Sequence, residues 1–232
     1  MIPSDLGVGR WALGVDADGQ QGGALLPVLL IMLLFSAIAV GASIVVRTEV
    51  SVSARYRRAS EALYAADAGL SVALSNLRDL PSWTPALDGT ASSPLSQGLF
   101  QGSRAVPGGG AVLLCCGPGS VSDRIASDSR LSPVPARRAL VWQPYLWSSL
   151  DAITGGAQPS GLFVAVFVAD DEQDDGDGDP RRDVNGVVTV RAEAVEPNGV
   201  HRTVEALIRR RDPGPAAGPR PAIGMLRWQE IR

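Results

Sequence analysis

A chain of 232 residues is long enough for one ordinary domain with an appendage, or for two small domains. With 45% hydrophobic and 19% charged residues it has the composition of a folded protein, which excludes disorder as its main state. A net charge of −3 argues against a nucleic-acid partner, and a single histidine, His201, leaves little for histidine catalysis or a multi-histidine metal site.

The first 22 residues hold Asp5, Arg10, Asp16 and Asp18, without a basic cluster. Charge then vanishes: Ala24 to Val46, ALLPVLLIMLLFSAIAVGASIVV, carries none. As a helix these 23 residues reach about 35 Å against a hydrocarbon core of about 30 Å, so a membrane span is expected. Pro27 falls in the first turn, where its missing N–H does no harm. A secretory signal has a shorter apolar core and then a cleavage site, whereas here the helical pattern continues. Arg47, Arg55, Arg57 and Arg58 follow, and charge count alone would put that side in the cytoplasm.

Beyond Val46 the apolar residues become periodic. Tyr56, Leu63, Leu70 and Leu77 recur every seven positions with Val52, Ala59, Ala66 and Ala73 between them, which makes one helical stripe. Gly69 sits beside Ala66 and Ala73 and widens a strip of small residues. Gly costs about 1 kcal/mol against Ala inside a helix, so close packing is the expected reason for it. On propensity alone, Gly69→Ala favours the free helix. Asp67 is expected to face away from that strip or to reach a neighbouring Arg, and Pro81 to end the helix. One helix is therefore predicted over about residues 24–77, near 80 Å long, apolar first and amphipathic second.

The stretch from Gly22 to Leu77, with YAADAGLSVAL at its heart, resembles the N-terminal region of PilX-type minor pilins of type IV pilus assembly. It is also similar to the K-type minor pseudopilins of type II secretion. The resemblance implies that a prepilin peptidase cuts after Gly22, leaving Gly23 as the mature N-terminus, with cleavage after Gly23 as the near alternative. It implies four regions: a leader (1–22), a transmembrane half-helix (23–46), an amphipathic half-helix (47–80) and an exported β-rich domain (81–232). Its helix-packing residues would be Tyr56, Ala59, Leu63, Ala66, Gly69, Leu70, Ala73 and Leu77. Pro27 stands where major pilins carry a glutamate, which fits a specialised minor subunit. The implied partners are other minor and major pilins, the inner-membrane assembly platform, the peptidase, a tip adhesin and membrane lipid. The implied location is the inner membrane, with the C-terminal domain outside the cytoplasm, and then the pilus or cell surface. That orientation overrides the charge count.

Residues 81–138 are rich in Pro, Gly and Ser and read as loops with one short strand at Ala111–Cys116. Cys115 and Cys116 are read there as buried thiols in an apolar strand, with a vicinal disulfide as the alternative. Further strands are expected at Ala139–Gln143, Gly161–Ala169, Val187–Val195 and Val200–Arg209, the last two joined as a hairpin by EPNG. Val188, Val190, Ala192 and Ala194 share one face of the first hairpin strand, and Arg191 and Glu193 share the other. AIGMLRWQEIR adds an edge strand. The fold class is α+β, a long helix packed on a mainly antiparallel sheet.

Asp170 to Gly186, DDEQDDGDGDPRRDVNG, places eight carboxylates within 14 residues. Oxygen ligands at this density suit calcium, with Asp175, Asp177, Asp179 and Asp183 as candidate ligands, although the EF-hand spacing fails. A solvated acidic loop is the plainer reading. No nucleophile elbow, phosphate-binding loop or paired-histidine motif is present, so no enzyme is expected. The expected function is a minor pilin in an initiating or tip complex. The alternatives are a K-like pseudopilin and, more distantly, a membrane-anchored calcium-binding or adhesive module.

Overall fold

The computed structural model describes residues 25–130, 140–156, 159–171, 178–211 and 221–231. The chain divides into two compact units, Met1–Ser53 and Ala54–Arg232. Helix α1, Leu25–Asp79, contributes to both. In the first unit its described residues are helical and exposed throughout. Ser43 and Thr48 turn their hydroxyls back onto the carbonyls of Ala39 and Ile44, at 2.8 and 2.9 Å. These polar groups are therefore satisfied within the helix itself.

The second unit is a helix on a five-stranded antiparallel sheet, as the sequence predicts. Strands β3 (Gln143–Ser149), β4 (Phe163–Asp170), β5 (Val187–Val195), β6 (His201–Arg211) and β7 (Ala222–Ile231) lie side by side in chain order. The Glu196 N–H donates to Val200 O at 2.8 Å, which closes the EPNG hairpin, and Gly199 supplies the positive φ of its turn. Before the sheet come α2 (Thr84–Leu87), a small hairpin of β1 (Ser103–Ala105) and β2 (Ala111–Leu113), and α3 (Val121–Arg130). A short helix, α4 (Leu150–Thr154), follows β3.

Val164, Val166 and Val168 of β4 and Val188, Val190, Ala192 and Ala194 of β5 form one buried layer with Ala62, Ala65, Ala66, Leu70, Ala73 and Leu77 of α1. Gly69 is buried in the same stripe. A Cβ on Gly69 would collide with Val164 Cγ1 and sit 3.6 Å from Val166 Cγ2. The helix lies this close to β4 because that position has no side chain. On the other face, Phe163, Ala165, Phe167 and Val195 pack with Trp147, Val112, Leu114, Val121 and Ile125 under the small hairpin and α3. Strand β4 is apolar on both faces because both are covered.

The loop reading of 81–138 is corrected by α2, β1 and α3. Helix α3 has few apolar residues, and its stability comes from docking Val121 and Ile125 and from its cap. The Ser120 hydroxyl accepts from Asp123 N–H, and the Asp123 carboxylate accepts from the N–H of Gly119, the residue before Ser120, so both side chains tie down the start of the helix. The strand expected at Ala139–Gln143 instead begins at Gln143 and runs to Ser149, with its register shifted at Pro144. Pro is tolerated in an edge strand at an irregularity, where no ladder donor is needed.

The two sheet edges differ. The outer edge of β3 is engaged by the segment before it: Ser93 N–H donates to Tyr145 O and Gln97 N–H to Trp147 O, at 2.7 and 2.8 Å. Strand β7 has no such cover among the described residues, and Met225, Leu226 and Trp228 are exposed along it.

The Gly69 contact reverses the propensity argument. Gly69→Ala adds a methyl to a full site against a stiff β-branched side chain, an overpacking cost of about 1–3 kcal/mol. The propensity gain is only about 1 kcal/mol. Net destabilisation is expected in urea unfolding of the detergent-solubilised chain followed by tryptophan fluorescence, with Gly69→Leu worse. An unchanged or raised midpoint for Gly69→Ala would show that the helix stands further from β4.

Candidate functional site

The helix of the first unit is long and apolar enough to cross a membrane. Its large side chains are bare: Leu33 is 72% and Phe35 66% exposed. An apolar surface of that extent, with no charge until Arg47, requires lipid or protein around it. Gly22 and Gly23, the expected cleavage position, lie outside the described residues.

The expected packing residues separate along α1. Ala66, Gly69, Leu70, Ala73 and Leu77 are buried against the chain's own sheet, Ala59 and Leu63 are half-buried, and Tyr56 is exposed. The strip of small residues is thus occupied by β4 and β5 within the domain. Asp67 is exposed, facing away from the strip.

Of the candidate calcium ligands, Asp175 and Asp177 lie outside the described residues. Asp179 and Asp183 hold backbone. An Asp179 carboxylate oxygen accepts from Arg181 N–H at 3.0 Å, and Asp183 Oδ1 accepts from Gly186 N–H at 2.7 Å. Asn185 Oδ1 accepts from Val187 N–H, and its amide nitrogen donates to Asp171 Oδ1. These side-chain-to-backbone turns lead the acidic loop into β5. Among the described residues no three His, Cys, Asp or Glu side chains converge as a metal site. Burial pushes the Asp183 carboxyl above its ordinary range, and the bonds from Gly186 and Val187 and the nearby Arg210 only partly oppose this. His201 is exposed, its Nδ1 3.2 Å from Gly199 O.

The polar face of the hairpin is not a solvent face. Arg191, Glu193 and Glu205 are all at most 5% exposed. Arg191 donates from Nε and Nη2 to Glu205 Oε2, at 3.1 and 2.6 Å, and from Nη1 to Ile125 O. Its guanidinium lies 4.5 Å from the centre of the Trp142 ring. Arg227 and Gln229 of β7 donate to Glu205 Oε1, and Arg124 of α3 pairs with Glu193 at 2.6 Å. An ionic layer therefore lies beneath α3. The signal for it was available: the EPNG turn sets Arg191 directly opposite Glu205.

Cys115 and Cys116 are joined in a vicinal disulfide. This corrects the reading of buried thiols in a strand. Strand β2 stops at Leu113, and the chain leaves the sheet toward Gly117, Pro118 and Gly119. Cys115 is half-buried and Cys116 exposed, the latter at φ 72°.

No protein-family model, curated protein or solved structure matches the chain.

Two measurements probe these residues. Glu205→Ala leaves Arg191 buried without its carboxylate, and removal of one partner of a buried pair costs about 3–5 kcal/mol. Arg227→Ala, at a side chain 46% exposed, is expected to cost under about 1 kcal/mol. Equal midpoints for the two variants in chemical unfolding would contradict the layer. The second concerns Asp183, whose folded carboxyl titrates above its unfolded value. Folding therefore favours the protonated form, a contribution fully present below the unfolded carboxylate range and lost as pH rises through the folded value. Asp183→Asn keeps the acceptor for Gly186 without the charge. Its stability relative to the parent is expected to improve from acid toward neutral pH in paired melting curves. A relative stability that falls over that range would show the carboxylate to be favoured in the fold.

Proposed function

We propose that the chain is a minor pilin, a low-abundance, non-enzymatic subunit of type IV pilus assembly that acts in an initiating or tip complex. One observation carries the reading. A single helix supplies both a charge-free exposed stretch, from Leu25 to Val46, and the buried stripe of an antiparallel β domain. The YAADAGL motif lies where the second role is played: Ala65, Ala66, Gly69 and Leu70 fill the sheet's face, while Tyr64 and Asp67 are exposed. The α+β fold supports the reading as architecture.

In this mechanism the peptidase removes the leader at Gly22, and the new N-terminal segment remains in the inner membrane. The apolar side chains then exchange lipid for neighbouring helices as the subunit enters a filament. That exchange costs little, because the surroundings stay apolar. The domain is carried outward as a preformed unit, since its stripe is already filled by its own strands. Partners would be other minor and major pilins, the assembly platform and a tip adhesin. Buried small residues leave Tyr56 and Tyr64, 76% and 74% exposed, for contacts between subunits.

Processing is the direct test. In a host with an active prepilin peptidase, N-terminal sequencing of the membrane-extracted protein is expected to begin at Gly23, and inactivating the peptidase to abolish the cut. A mature chain starting at Met1 overturns the reading. Deleting the gene is expected to reduce surface pili; if pili persist and protein export fails instead, the K-like pseudopilin assignment holds.

A further inference from the structure

The chain's two cysteines are adjacent, so their disulfide cross-links nothing distant. The stabilisation a disulfide gives by restricting the unfolded chain grows with the loop it closes, and this loop contains no residues. Its effect is local. Cys116 is the one non-glycine residue with positive φ among those described, a conformation disfavoured for any residue with a Cβ. Opening the ring removes the covalent tie between the two side chains that accompanies this backbone.

The pair lies between two fixed points. On one side Leu114 N–H donates to Gly102 O at 2.8 Å, and Leu114 O accepts from Ser122 N–H at 3.1 Å. On the other side Gly119 is held by α3: its N–H donates to the Asp123 carboxylate at 3.0 Å, and its carbonyl accepts from Arg124 Nη1 at 2.6 Å. Arg124 also reaches the buried Glu193, and Ile125 O accepts from Arg191. A change of backbone at Cys116 thus acts on the start of the helix that covers the ionic layer.

We infer that Cys115–Cys116 is a thiol-exchange site, reduced and re-oxidised in the folded protein, whose redox state sets how firmly α3 is held on the sheet. The reactant class is a small dithiol. One of its thiolates attacks Cys116 Sγ, in the exposed residue of the pair; the bond between the two cysteine sulfurs breaks, and Cys115 leaves as a thiolate that takes a proton from water. The reductant's second thiolate then attacks its own sulfur in the mixed disulfide and releases the Cys116 thiolate, which is protonated in turn. Two electrons pass from the dithiol to the pair, and the dithiol leaves as a cyclic disulfide; re-oxidation is the same exchange run in reverse, with that cyclic disulfide as the electron acceptor. Exposed disulfides in disfavoured backbone are the labile ones. Once the pair is open, Cys116 is free to return to negative φ, which turns the following peptide and loosens the Gly119–Ser120 cap. The inference does not depend on the pilin assignment.

The test uses the full chain in detergent, without denaturant, equilibrated in dithiothreitol buffers from fully oxidised to fully reduced. Maleimide trapping with intact mass reports the thiols, and hydrogen exchange reports the amides of residues 121–127. No label is expected at the oxidised end and two labels at the reduced end. Exchange in α3 should speed at least tenfold along the same titration, while β4 and β5 stay protected. Cys115→Ser/Cys116→Ser is expected to exchange like the reduced form and to ignore the buffer. Cys115→Ser/Cys116→Gly, which tolerates positive φ, should recover part of the protection. Thiols that stay labelled in the oxidised buffer overturn the inference. So does a pair that reduces only when β4 and β5 also lose protection, or α3 exchange that does not follow the titration. Because the parent chain alone gives these readings, a variant that misfolds leaves the test intact.

Discussion

The domain depends on how closely α1 approaches β4. A helix normally stands off a sheet by the length of its side chains, and here the separation is set by a residue with none. Val164 occupies the space a Cβ of Gly69 would need. Ala62, Ala65, Ala66 and Ala73 keep the rest of the stripe equally thin, so the larger Leu70 and Leu77 fill gaps rather than hold the elements apart. At native packing density even one methylene is felt. The helix is fixed in rotation as well, because turning it would bring Asp67 or Tyr64 over the valines.

The opposite face solves a different problem. Strand β4 offers Phe163, Ala165 and Phe167 there, but β5 and β6 offer Arg191, Glu193 and Glu205. Removing these charges from water is tolerable only with near-complete pairing. Helix α3 supplies Arg124 and the Ile125 carbonyl, β7 supplies Arg227 and Gln229, and Trp142 lies against the guanidinium. Geometry is what such a layer enforces. A valine tolerates a small slip of β6 against β5, whereas an arginine whose Nε and Nη2 converge on one carboxylate oxygen does not. The apolar face thus sets the depth of the helix, and the ionic face holds the register that the EPNG turn sets.

Much of this was legible in the residues. The span of α1, the EPNG hairpin and the doubly apolar β4 follow from short-range pattern, because periodicity and turn chemistry act over a few residues. Strand β3 was displaced because ALVWQ looks like a strand and Pro144 looks like its end; the irregularity that admits Pro144 is a property of the assembled sheet. Helix α3 was missed because its sequence is polar and its stability is tertiary, although the Ser120–Asp123 cap was in plain view. The need for Gly69 was legible, but its partner was not, since Val164 lies on a distant strand. Asp179 and Asp183 illustrate the ambiguity of acidic runs: a carboxylate that closes a backbone turn has the same letter as one that binds an ion.

The unequal edges of the sheet give it a direction of growth. Hydrogen-bonding groups along β3 are engaged by the residues around Ser93 and Gln97, so a further strand must first displace them. Along β7 no described residue stands in the way, and the exposed Met225, Leu226 and Trp228 lie along that strand. Among the described residues, a strand added to this sheet meets least obstruction beyond β7. Arg227, the only cation of β7, is already paired with Glu205 at 3.1 Å and is poorly placed to serve as a gatekeeper.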